Sequence, residues 1–400
     1  MDRLEPKGDS RFVNRDRLLL AVFGVALLGF TGFALYDYFT PDWQFYQREF
    51  RAVVEETLGP EKAELIPSGM QQIWVEPLQR VDRCTTCHLG IEWKGLDKVE
   101  QPFRSHPREI LAKHPLQRFG CTSCHGGQGY AVKAAEAHGL VQFWEEPMLG
   151  KELEDFYVMG DKRALLQINC NACHRYEKET QGAGLINYAK QLVGDKGCRA
   201  CHAINGRGGT LAPDLTNVGG KSVEQYDYSR IKGLGTVFSW HVAHFKNPKE
   251  ISPETIMPNF GFSTRDAQAL TMLTLSWKQH ELPVEYLPGI HLKDVPTPEE
   301  LEREKQMREG PGAFFVEKTC FVCHSVSAFG IEAAAQIGPD LTFAAEDVQR
   351  RFGRTLDDFL HAPTGTMSVV LSKQIILTDP ELNEAIRLLR LAYEQRPATK

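Results

Sequence analysis

The ten cysteines fall at Cys84 and Cys87, Cys121 and Cys124, Cys170 and Cys173, Cys198 and Cys201, and Cys320 and Cys323. Every pair is spaced C-x-x-C, and a histidine follows each at once: His88, His125, His174, His202 and His324. Two thiols at this spacing can form thioethers to the two vinyl groups of one porphyrin. The adjoining imidazole then reaches the iron, so C-x-x-C-H reads as c-type haem attachment. C-x-x-C alone also serves zinc or a redox dithiol, and ten cysteines in an exported chain could form five disulfides. Neither explains a histidine after every pair. The expected cofactor set is five covalently bound haem c, with the cysteines as attachment points and the five histidines as proximal ligands.

The second axial ligand sets what each haem does. Thirteen histidines less the five in the motifs leave eight. His106, His114 and His138 lie inside residues 84–174, a stretch that holds three motifs. Three spare imidazoles for three haems suggest bis-histidine ligation, with Met148 or an open site as the alternative for one of them. Their order does not say which serves which haem. The fourth and fifth motifs are each followed by a PDLT tetrad, Pro213–Thr216 and Pro339–Thr342, and then by a methionine, Met257 in TIMPNFGF and Met367 in GTMSVVL. Methionine is more often a core gap-filler, but the position after the tetrad favours ligation. Met272 and Met307 read as structural. His244 is the rival ligand in its domain, and His241, His280, His291 and His361 carry no assigned role. No residue set resembles a general acid, a base or an open metal site, which points to electron transfer rather than an enzyme.

The elements that position these groups read as mainly helical. Residues 18–36 are 19 uncharged residues, close to the ~20 that cross a hydrocarbon core as helix. Arg3, Lys7, Arg11, Arg15 and Arg17 precede them, and Tyr36, Tyr38 and Trp43 follow as interface residues. The positive-inside rule keeps the N-terminus in the cytoplasm and exports the rest. A cleaved signal peptide would have a shorter apolar core and a small-residue cleavage site. A plausible amphipathic helix, WQFYQREFRAVVEETL, follows. The expected division is a tail and transmembrane anchor at 1–45, a loop-rich trihaem domain at 46–184, and two one-haem domains at 185–290 and 291–400. Motifs packed as densely as in 84–174 leave little room for an ordinary apolar core. The last two domains read as diverged repeats, each with a short helical run before its motif and a capped helix at its end, opened by Ser263–Asp266 and Thr378–Glu381. Prolines 283, 288, 296 and 298 mark a linker that would let the last domain swing. Thr297 and Glu300 can cap the charged helix after it. Over 400 residues the net charge is −6, and haem propionates would make it more negative, which argues against a nucleic-acid partner.

Residues 185–282 and 297–400 resemble class I cytochrome c domains through the motif, the PDLT segment, the later methionine and the terminal helix. The resemblance implies that the carbonyls of Pro213 and Pro339 accept hydrogen bonds from His202 and His324. The second repeat departs from the pattern in its shorter tetrad-to-methionine spacing and in lacking a proline after Met367. Residues 84–174, with CTTCHLGI, QPFRSHP, AKHPLQRFGCTSCHGGQGYA and EAHG, resemble the multihaem subunits found with bacterial quinol-oxidising cytochrome b and Rieske-type complexes. The implied protein is a single-pass pentahaem cytochrome of the cytoplasmic membrane with its haem domains on the periplasmic side. It would carry electrons from such a complex to a periplasmic acceptor. A self-sufficient quinol dehydrogenase and a haem enzyme such as a peroxidase are the competing readings.

Overall fold

The computed structural model describes residues 10–139, 148–149, 162–279, 282–288, 296–335 and 337–396. Arg3, Lys7, His280, His291 and the middle of the linker, 289–295, lie outside them, as does the side chain of Arg11. The fold is mainly helical, as expected. Among the described residues its strands form two short antiparallel hairpins, Ile73–Val75 with Arg80–Asp82 and Ala203–Ile204 with Arg207–Gly208.

The chain divides into two compact units, Met1–Met148 and Leu149–Lys400. The first begins with a helix, Ser10–Phe39. Its apolar side chains, among them Leu20, Leu28 and Phe30, are exposed all round, and it is long and apolar enough to cross a membrane. A second helix, Asp42–Leu58, follows the expected amphipathic segment and buries Gln47, Phe50 and Val54. Phe50 and Val54 join Ala63, Ile66, Leu89, Leu96 and Phe103 in a small core. Beyond it the unit is loops and single turns wrapped around the first two motifs.

The second unit has two cores. The larger is built on the helices Lys162–Cys173, Gly184–Asp195, Val237–Lys246 and Thr264–Ser276. The Thr264–Ser276 helix is apolar on most faces because the others surround it, and Leu270, Met272 and Leu273 are almost fully buried. The smaller core packs Phe315, Val316, Val326 and Ile331 against the Asp379–Glu394 helix through Leu388, Leu389 and Ala392. The capping boxes at Ser263–Asp266, Thr297–Glu300 and Thr378–Glu381 are all formed.

The expected trihaem stretch, residues 46–184, runs across the boundary between these two units. The helix that ends in the third motif buries Ala164, Leu165 and Ile168 in the second unit's larger core. Gln167 caps the next helix by accepting from the amides of Leu185 at 2.9 Å and Ile186 at 3.2 Å. Its apolar stripe needed a helical partner, and that partner lies downstream in the sequence.

Candidate haem sites

All five motifs adopt the same turn. The amide of each motif histidine donates to the carbonyl of the first cysteine four residues back, over 2.9–3.1 Å at His88, His125, His174, His202 and His324. One turn of helix brings the two thiols and the imidazole to one side. All ten cysteines are half-buried and free of disulfides. Among the described residues no group of three or more His, Cys, Asp or Glu side chains is gathered to hold a metal ion directly.

In the first unit Asp82, fully buried, stitches two motifs together. Its Oδ2 accepts from the amides of Cys121 at 2.6 Å and Thr122 at 3.1 Å. Arg83 continues the seam by donating to the carbonyls of Gly129 and Tyr130. The thiols of Cys84 and Cys121, from different motifs, lie beside each other. Asp82 carried no sequence signal beyond lying two residues before a motif.

The same unit brings spare imidazoles to motif imidazoles. The rings of His88 and His138 have centroids 6.3 Å apart, and those of His106 and His125 lie 6.2 Å apart. Chain order did not give these partners. His114 stands beside Phe119, with Nδ1 3.2 Å from the Ile110 carbonyl. Met148, the alternative ligand, donates its amide to the His138 carbonyl at 3.1 Å. A cavity of about 420 Å³ opens at His88, walled by Trp74, Thr85, Leu89, Ile91, Trp93 and Leu116, within the size range of ligand cavities.

In the second unit the hydrogen bonds implied by the cytochrome c resemblance are present in both repeats. His202 Nδ1 lies 2.7 Å from the Pro213 carbonyl, and His324 Nδ1 lies 2.8 Å from that of Pro339. Each ring therefore turns Nε2 away from the carbonyl. Gly338 makes room for this, because a Cβ there would lie 2.3 Å from Cε1 of His324. Burial holds His88, His125, His202 and His324 below the usual histidine range, which keeps these imidazoles neutral, the form that binds iron. His174 is held differently, by the Glu177 carboxylate at 2.6 Å. Arg175 ties the third motif to the fourth by donating to Asn205 and to the Thr216 carbonyl of the tetrad.

Met257 and Met367 are both half-buried, Met257 in the loop before the Thr264–Ser276 helix and Met367 in a short helix against the smaller core. His244 stacks on Trp240 at 4.8 Å, and its buried Nδ1 has no hydrogen-bond partner among the described residues. His241 is a core residue bonded to the Tyr226 hydroxyl at 3.2 Å. His361 is exposed, bonded to its own helix.

The two repeats pack loop to loop. The thiols of Cys201 and Cys323 lie beside each other. Gly197 lies against Ala334 and Ala335 so closely that a Cβ would meet the Ala334 carbonyl oxygen at 2.3 Å. Arg207–Glu300 and Lys373–Glu254 ion pairs, each 3.0 Å, flank the contact.

The cytochrome c family model matches residues 186–273. The matched span takes in Cys198, Cys201, His202, Pro213 and Met257, so the chain carries a cytochrome c domain. That domain supports covalently bound haem c and haem-based electron transfer. Neither the curated proteins nor the solved structures compared with the chain include a match.

Proposed function

We propose that the chain is a membrane-anchored pentahaem c-type cytochrome. It relays electrons from a quinol-oxidising cytochrome b-type complex to a periplasmic acceptor. The observation that carries the reading is the facing of imidazoles in the first unit. His88 with His138 and His106 with His125 each bring two imidazoles within 6.3 Å of one another, and each pair would hold one haem iron from both sides. Haem, bound this way, supplies a one-electron couple.

The chain's residues do the rest. The ten cysteines tether, and the five motif histidines ligate from one side. His138 and His106 ligate the first two from the other, with His114 as the third spare imidazole of the set. Met257 and Met367 are the proposed partners of His202 and His324, and methionine raises a potential relative to a second histidine. Potentials that rise toward the C-terminus favour forward flow. Two ligands at four of the five irons leave those four closed to substrate, which favours relay over peroxidase or reductase chemistry. The Ser10–Phe39 helix serves as the anchor, with the basic tail inside.

The test is on the full chain purified from membranes. Its intact mass should exceed the polypeptide by five haems. His138→Ala and His106→Ala should each turn one low-spin haem high-spin. Stopped-flow mixing should show rapid reduction by the membrane complex and none by quinol alone. A mass showing four haems, or fast turnover of peroxide or nitrite, would overturn the reading; direct reduction by quinol would favour the quinol dehydrogenase.

A further inference from the structure

The third motif differs from its neighbours in what holds the histidine. Carbonyl oxygens of proline serve His202 and His324. At His174 the acceptor is the Glu177 carboxylate, 2.6 Å from Nδ1. This contact is built rather than incidental. The turn closes with the Glu177 amide donating to the His174 carbonyl at 3.3 Å. Lys190, from the Gly184–Asp195 helix, donates to the carbonyls of His174 and Glu177 at 2.8 and 2.7 Å. Asn187 of the same helix brackets Thr180, accepting from its amide and donating to its carbonyl, both at 2.9 Å. Thr180 in turn donates its hydroxyl to the same carboxylate oxygen at 3.2 Å. The side chains are only 19% and 32% exposed, so water competes little for the bond.

We propose that Glu177 is a positioning residue that sets the third haem at a lower potential than a carbonyl-held histidine would. The assignment rests on the pentahaem reading above. A carboxylate draws the Nδ1 proton toward itself and leaves more negative charge on the imidazole. A more basic axial ligand stabilises ferric over ferrous iron, and second-shell hydrogen bonding is one of the protein's levers on haem potential. The Thr180 hydroxyl works against this, because it shares the carboxylate's charge. Glu177 and Thr180 therefore act in opposite directions on one centre.

The experiment is a spectropotentiometric titration of the full holoprotein and two variants, with haem on each motif confirmed by peptide mass. Glu177→Gln keeps an acceptor and removes its charge. It should move one haem's share of the titration curve to higher potential and leave the other four in place. Thr180→Val should move the same share to lower potential. The near-infrared charge-transfer band of that ferric haem should shift with the charge on its imidazole, in opposite senses for the two variants. Unchanged curves for both variants, or shifts of the same sign, would overturn the proposal. If Glu177→Gln fails to mature, Thr180→Val alone decides, and an upward or absent shift sinks the idea. Absence of haem from Cys170 and Cys173 in the wild type would defeat the pentahaem reading instead.

Discussion

Single side chains carry more of this molecule than its motifs suggest. Asp82 is the clearest case, since one carboxylate oxygen holds the amides that open the second motif. Asp82→Ala would strand those donors in a dry site. Hydrogen bonds to a charged group are worth about 1.5–3 kcal/mol each, so a loss of roughly 3 kcal/mol is expected. Denaturant unfolding should read this loss, together with reduced haem on Cys121 and Cys124. His241 offers a pH signature. Burial lowers its folded pKa to about 3 from 6.5. The unfolded chain therefore binds the extra proton, and the neutral residue's stability is present above pH 6.5. It is lost as pH falls toward 3, by about 1.4 kcal/mol per unit at the steepest. His241→Phe should move the acid transition, followed by Trp240 fluorescence, to lower pH; an unmoved transition would show that other groups control it.

At the scale of elements, the sequence was readable wherever a local signal sufficed. Capping pairs opened the helices at 264, 298 and 379, and the amphipathic run after the anchor is the 42–58 helix. Ser263→Ala should cost about 1 kcal/mol, seen as a lower denaturation midpoint, because it removes the acceptor for the Asp266 amide. The motif turn was equally legible, since spacing alone dictates it. Long-range partnerships were not. The helix before the third motif shows an apolar stripe in its sequence, but nothing there says that the stripe meets the 264–276 helix. Likewise His106 and His138 were legible as spare imidazoles, while their facing of His125 and His88 depends on loops without periodicity. Glu177 was invisible as a functional group because a glutamate three residues past a motif is unremarkable until a lysine and a threonine fix it.

At the scale of the whole chain, the contact between the two repeats replaces a tether with a fixed surface. Lengthening residues 289–295 with glycine and serine should leave electron exchange between the last two haems unchanged in flash photoreduction. Gly197→Leu should slow it, because the new side chain collides with the Ala334 backbone. The reverse result would restore the swinging domain. Removing residues 1–36 behind a cleavable export signal should release a soluble, haem-loaded protein, and retention in the membrane would reveal a second anchor. The thiol contacts Cys84–Cys121 and Cys201–Cys323 have a consequence for biogenesis. On the periplasmic reading the newly exported chain meets an oxidising compartment, where neighbouring thiols from different motifs are ready substrates for cross-linking. Each such bond would consume an attachment point in two motifs at once. Maturation must therefore be ordered in time, with thioethers formed on the still-open chain before the motif loops close on one another. In cells starved of haem, mass mapping should find these two mismatched disulfides in the stalled chain.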